Sequence, residues 1–125
     1  MGNTSKPTGF LAALRAKPKR SPAIDKVRET LDPDETLVDY LFAERTVFGP
    51  DAIGTLAVTE RRVLFRGVAS MHVEAVTVPL DAIVSVTTRS SGTKHLVQID
   101  TAGDRFTFRT PWGRFLEDFA AHLQR

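Results

Sequence analysis

The sequence contains no cysteine, which excludes disulfide bridges, a thiolate nucleophile and metal sites that use cysteine. Long apolar runs are also missing. The longest strictly apolar run is the five residues 10–14, whereas a helix that crosses a bilayer needs about 20. We therefore expect a chain that does not cross a membrane. Its 125 residues, 42% hydrophobic and 26% charged, are typical of one globular domain with a core of its own.

Signals of catalysis are equally scarce. The three histidines show no metal-ligand spacing, and Ser90-Ser91-Gly92 lacks the Gly-x-Ser-x-Gly frame of a nucleophile elbow. Two pairs of adjacent carboxylates, Asp34-Glu35 and Glu117-Asp118, are read more simply as helix-end or solvated charges than as an acid–base pair. We predict no catalytic residue, no metal site and no cofactor, so that the chain is not an enzyme.

Positive charge is concentrated at one end of the chain. Residues 1–22 carry five bases and no acid, whereas residues 23–50 carry seven acids and three bases. This divides the chain into a basic N-terminal arm, 1–22, which we expect to be mobile, and a globular domain, 23–125. The simplest interpretation of the arm is that it is only a solvated tail.

An alternative is that the arm attaches the protein to an anionic membrane surface, with apolar side chains inserted and bases on headgroups. The residues of this candidate surface are Phe10, Leu11, Leu14, Arg15, Lys17, Lys19 and Arg20. Such binding would be weak and without headgroup specificity. Nucleic acid is a less suitable partner, because the arm lacks aromatic side chains interleaved with bases.

The arm does not have the order of a secretory signal, because its short apolar run precedes most of its bases. Lys6 stands where a myristoylation motif requires Ser or Thr. We therefore expect a cytoplasmic protein, with association at the inner face of the membrane as the alternative.

Alternation of apolar and polar residues from Thr36 onward predicts a mainly β domain. The predicted strands are Thr36–Ala43, Ile53–Thr59, Arg62–Val68, Met71–Val78, Ile83–Arg89, Lys94–Asp100 and Arg105–Arg109. Short helices are predicted before them, over Phe10–Ala16 and from Ser21 to Leu31.

A strongly amphipathic helix is predicted after the last strand. Thr110 is typical of an N-cap and Pro111 of a first helical position. Trp112, Phe115 and Phe119 lie on its apolar side, and we expect all three to be buried against the strands. The whole pattern predicts a seven-stranded sandwich or partly open barrel that is capped by this helix.

Seven strands closed by a C-terminal amphipathic helix is the layout of the pleckstrin-homology (PH) superfold, and the sequence resembles the bacterial PH-like family over about residues 24–125. Three stretches carry the resemblance: Leu31-Asp32-Pro33-Asp34-Glu35, the hairpin Gly54-Thr55-Leu56-Ala57-Val58-Thr59-Glu60-Arg61-Arg62-Val63-Leu64-Phe65, and Val78-Pro79-Leu80-Asp81-Ala82-Ile83-Val84-Ser85-Val86. The resemblance implies a non-catalytic domain that binds lipid headgroups, peptides or other copies of itself.

Two places in the domain are candidate interaction sites. Arg61 and Arg62 lie at a hairpin turn, where they either contact an anion or, as we favour for Arg62, pair with a nearby acid and fix the turn. The loop after the first strand, Glu44–Asp51, offers the base Arg45 and the apolar Val47 and Phe48. With Arg45 as its only base, this loop departs from the phosphoinositide-binding pattern. We therefore predict a protein-interaction or scaffolding domain, with self-association as one form of it.

Overall fold

The computed structural model describes residues 22–45, 51–69 and 72–124. Within these ranges the chain forms seven strands, two α-helices and two short 3-10 turns. The strands are β1 (Leu37–Arg45), β2 (Ala52–Thr59), β3 (Arg62–Ala69), β4 (His72–Pro79), β5 (Ser85–Ser91), β6 (Lys94–Asp100) and β7 (Arg105–Thr110). The helices are α1 (Pro22–Glu29) and α2 (Leu116–Leu123), and the 3-10 turns are Leu80–Ala82 and Gly113–Phe115.

All seven strands belong to one antiparallel sheet, in the order β4-β3-β2-β1-β7-β6-β5. The sheet is open, and β4 and β5 are its two edges. The predicted fold class is confirmed: a mainly β, PH-like sheet of seven strands with a C-terminal helix. The predicted arm, 1–22, lies outside the described residues together with all of its candidate surface residues, except for its last residue, Pro22, which begins α1.

The inner face of the sheet forms the main core. Its largest buried side chains come from both halves of the sheet, for example Leu41 on β1, Phe65 on β3 and Phe108 on β7. The rings of Phe65 and Phe108 lie 5.2 Å apart. Phe119 of α2 is fully buried in the same cluster. The C-terminal helix therefore closes the core, as its amphipathic pattern predicts.

A second, smaller core lies on the outer face, beneath α1. Val27 packs there on Ala57 and Leu64, which come from the two neighbouring strands β2 and β3. Ile24, one helical turn earlier, is also buried. The 3–4 spacing that predicts this helix therefore selects the residues that it buries.

A pair of glycines brings β2 and β3 into close contact. Gly54 and Gly67 are register partners. A Cβ on Gly54 would lie 2.0 Å from the carbonyl oxygen of Arg66 and 2.4 Å from the Cα of Gly67. Only glycine fits this approach of one backbone to the other.

The start of the C-terminal helix differs from the prediction. Thr110 is the last residue of β7, not a helix cap, and α2 begins only at Leu116, after the 3-10 turn Gly113–Phe115. The Thr110 hydroxyl donates to the carbonyl of Phe42 at 2.6 Å and accepts from the N–H of Trp112 at 3.0 Å. The hydroxyl expected to cap a helix thus joins β7 to β1 and holds the backbone just before the 3-10 turn. Phe119 is buried as expected, but Trp112 and Phe115 are only partly buried.

Candidate interaction site

Arg62 is held by a buried carboxylate. Its Nε and Nη2 each donate to Glu35 at 2.8 Å, and the side chain of Glu35 is fully buried. Glu35 also accepts from the hydroxyl of Thr59 at 2.7 Å and from the N–H of Asp32 at 3.1 Å. The hydrogen bonds from Arg62 lower the pKa of Glu35 from its ordinary value of 4.5 to about 2. This is the ion pair expected if Arg62 fixes the turn.

Arg61, the next residue, lies on the exposed side of the same turn. Its Nη1 lies 3.2 Å from Oδ2 of Asp32, and its Nη2 lies 2.6 Å from Oδ2 of Asp34. The hydrogen bond from Arg61 lowers the pKa of Asp34. We call Glu60, Arg61 and Arg62, with their acids Asp32, Asp34 and Glu35, the charged turn. Both of its arginines are committed to acids of the same chain.

The third predicted base, Arg45, is a strand residue rather than a loop residue. β1 extends to Arg45 because Glu44 and Arg45 continue the pairing with β2 on one side and with β7 on the other. The Arg45 guanidinium pairs with Glu74 and lies 5.4 Å from the centre of the Phe106 ring. It is therefore occupied by contacts of its own domain. Val47 and Phe48, predicted in the same loop, lie outside the described residues.

The two outward arginines of β7 also contact acids of their own domain. Arg109 contacts Glu44 at 3.3 Å and Asp51 at 3.0 Å, and Arg105 contacts Asp100 at 2.9 Å. The strands β3 and β7 are separated by β2 and β1, so that their arginines do not form one basic patch.

A groove that no sequence motif indicates lies at the β5 edge of the sheet. It has a volume of about 840 Å³ and runs between the start of β5 and the end of α2. Its apolar lining includes Ile83, Val84 and Leu123, while Glu60 and Asp81 give it acidic side chains. Val84 is 70% exposed, the largest exposure among the large apolar residues in the described parts of the chain. We call this the edge groove.

The backbone of β5 presents hydrogen-bonding groups beside this groove. Gly92-Thr93 is a two-residue turn, and its flanking pair Ser91 and Lys94 is in register. A flanking pair of this kind exchanges both of its hydrogen bonds, and such pairs alternate along a hairpin. The backbone groups of Val86, Thr88 and Ser90 therefore point away from β6, towards the free edge.

One of these edge groups already carries a bond. The side-chain amide of Gln124, just after α2, donates to the carbonyl of Val86 at 3.3 Å. Farther along the strand, the hydroxyl of Thr88 donates to Glu117 of α2 at 3.0 Å. The edge of β5 and the helix α2 thus form the two walls of the edge groove, and two side-chain hydrogen bonds join these walls.

The histidines do not gather at any of these places. His72 contacts Glu74 at 3.3 Å on β4, His95 contacts Ser90 at 2.8 Å, and His122 of α2 lies 3.9 Å from Asp39. Among the residues in 22–45, 51–69 and 72–124, no group of three or more ligating side chains could hold a metal ion. In the same ranges no helix is long and apolar enough to span a bilayer.

Comparisons with known proteins show similarity in fold. No family model and no curated protein matches the sequence. Among solved structures, the C-terminal domain of a protein of unknown function from Leishmania infantum matches with a TM-score of 0.60 at 12% identity, over 93% of this chain and 99% of that one. The hSac2 domain of the human phosphoinositide phosphatase Sac2 matches with a TM-score of 0.59 at 12% identity, over 95% of this chain and 81% of that one.

A further similar structure contains a PH domain by name. The linker and DH/PH domains of p115-RhoGEF match with a TM-score of 0.53 at 11% identity, over 90% of this chain but only 34% of that one. At such identities the likeness concerns the fold alone. It agrees with the PH-like arrangement of strands and helix, and it does not assign the chain to the bacterial family that the sequence resembles.

Proposed function

We propose that this chain is a non-catalytic protein-interaction module, which binds an extended segment of a protein partner along the free edge of β5. The observation that carries the proposal is the edge groove, where outward backbone groups of an edge strand border an apolar depression. A strand edge is a template for pairing with another chain. The module would therefore work by β-strand addition, with the sheet extended by one strand.

Backbone pairing supplies affinity in this mode, and side-chain pockets supply specificity. The apolar wall formed by Ile83, Val84 and Leu123 favours an apolar side chain of the bound segment. The carboxylate of Asp81 favours a lysine or arginine near it, whereas that of Glu60 already accepts from the N–H of Thr36 and lies 3.7 Å from Nε of Arg61. We therefore propose a segment with one apolar residue flanked by a base. Self-association is the special case in which that segment belongs to a second copy of the chain.

A matched pair of variants at one position tests this function. Thr88→Pro removes an N–H that points to the free edge, and proline is tolerated at such edge positions because β6 does not use that N–H. Thr88→Ala removes the hydroxyl that contacts Glu117 but keeps the N–H. A displayed library of random ten-residue peptides is selected on the wild-type chain, and the selected peptides are then measured on both variants by fluorescence anisotropy.

We expect peptides with an apolar residue next to a base, which bind the wild-type and Thr88→Ala chains alike and the Thr88→Pro chain at least tenfold more weakly. Equal binding by all three chains would show that the edge of β5 is not the site. Sedimentation velocity over a range of protein concentrations separates self-association from binding of another protein.

A further inference from the structure

Half of the outer sheet face carries a row of exposed apolar side chains. Ile53 on β2 is the register partner of Val68 on β3, and Val68 is the register partner of Val73 on β4. Their exposed fractions are 50%, 55% and 51%. Directly opposed side chains on neighbouring strands lie about 5 Å apart. The three residues therefore form one continuous surface, the apolar strip, which crosses three strands.

The other half of the same face is covered by α1. Val27 lies on Ala57 and Leu64, and the carbonyl of Thr30, just after the helix, accepts from Nη2 of Arg62. The direction from Val27 to Thr30 thus runs towards the turn at Arg62. The N-terminal end of α1, at Pro22, is then the end farther from this turn, and the apolar strip likewise lies at the strand ends that are remote from the turn.

We propose that the N-terminal arm of the same chain docks on the apolar strip, with Phe10, Leu11 and Leu14 as the contacting residues. Seven residues, 15–21, connect this apolar segment to α1, and seven extended residues span about 23 Å. The strip crosses only two strand spacings, about 10 Å. The arm is long enough to return over the face on which α1 already lies.

A second copy of the chain is a weaker occupant for this surface. A stable interface between two proteins buries about 800 Å² on each, contributed by some 20–30 residues, whereas the strip consists of three side chains. Attachment through a short linker gives the arm an effective concentration in the millimolar range. A small apolar contact is therefore sufficient for the arm and insufficient for a separate molecule.

The absence of cysteine makes a direct test possible, because a single introduced thiol is unique in the chain. Val68→Cys places this thiol in the middle of the strip, and its rate of reaction with a maleimide reagent measures how often the strip is open. The rate is compared in two full-length proteins, one with the natural arm and one with Leu11→Asp and Leu14→Asp. Thr87→Cys, on exposed β5, is the matched control site.

We expect the Val68→Cys thiol to react about tenfold more slowly with the natural arm than with the aspartate arm, which corresponds to docking for about nine-tenths of the time. The Thr87→Cys thiol should react at the same rate in both arms. The protection should not change when the protein is diluted. Equal rates at Val68→Cys in both arms, or protection that disappears on dilution, would overturn the proposal, the second outcome in favour of a second copy.

Discussion

The charged turn and the edge groove differ in how completely their polar groups are used. At the charged turn both arginines contact acids of the same chain, and the innermost acid, Glu35, receives four hydrogen bonds. At the edge groove, the strand β5, whose one charged residue is Arg89, directs backbone groups outward beside an exposed apolar residue, Val84. Charge at a turn therefore marks a structural contact in this domain, while the surface suited to a partner offers outward backbone groups and an exposed apolar residue, with Asp81 as an acid beside them.

The largest expected effect on stability concerns α2, the helix that forms one wall of the edge groove. Phe119 of α2 is fully buried in the main core, so Phe119→Ala should lower the free energy of unfolding by ~3–5 kcal/mol. Asp118→Ala, at an exposed position on the same helix, should change it by less than ~0.5 kcal/mol. Chemical denaturation of both variants measures the difference. A loss below about 1 kcal/mol for Phe119→Ala would contradict the packing of α2 on the sheet.

The charged turn is tested by its two arginines, which should not be equivalent. Arg62→Met leaves the buried carboxylate of Glu35 without its cation, and we expect a loss of ~2–3 kcal/mol. This is less than for a fully buried pair, because Arg62 is partly exposed. Arg61→Met removes only exposed, solvent-screened ion pairs and should lower the free energy of unfolding clearly less than Arg62→Met does. Similar losses of stability in the two variants would contradict the expectation that the buried ion pair of Arg62 contributes more than the exposed ion pairs of Arg61.

The same carboxylate predicts how stability depends on pH. The pKa of Glu35 is lowered in the folded chain from 4.5 to about 2, so the folded state favours the ionised form. Its contribution, ~1–3 kcal/mol, is complete above about pH 4.5 and is lost as the pH falls towards about 2. Denaturation curves of the wild type and of Glu35→Gln, measured across this window, check the effect. The variant should show a flatter dependence, and an identical slope would exclude Glu35 as its cause.

Much of the fold follows from patterns that the sequence displays directly. Strand alternation predicts all seven strands, and the 3–4 spacing of Ile24 and Val27 predicts α1. The start of α2 is predicted wrongly because Thr110 uses its hydroxyl on β1, a contact between residues distant in sequence. No local pattern contains the information that the carbonyl of Phe42 lies beside this hydroxyl.

The candidate site is less predictable than the fold, for a related reason. The sequence draws attention to arginines, yet Arg45 becomes a strand residue that pairs with Glu74, 29 positions away. The edge groove depends on which strand lies at the edge of the sheet, and on backbone groups that every residue carries. Its only local signals are the apolar residues Ile83 and Val84 next to a polar strand.

The smallest expected effect concerns anionic membranes, where the folded domain and the arm should behave differently. In the domain, Arg45, Arg61, Arg62 and Arg109 contact acids of the same chain, and the segment Glu44–Asp51 has no other base than Arg45. The arm has five bases. At about 1 kcal/mol for each base near an anionic surface, they set an upper limit of ~5 kcal/mol, which falls with added salt. Part of this gain is offset by the cost of ordering so short a helix.

Co-sedimentation with phosphatidylserine vesicles compares three full-length proteins: the wild type, an arm variant with all five bases changed to glutamine, and a domain variant with Arg89→Gln and Lys94→Gln as the control. We expect weak, salt-sensitive binding by the wild type and the domain variant, and none by the arm variant. Docking of the arm on the apolar strip would weaken the binding further, because it occupies the same apolar side chains. Tight, salt-resistant binding of the arm variant to vesicles with one phosphoinositide would instead place a lipid site in the folded domain.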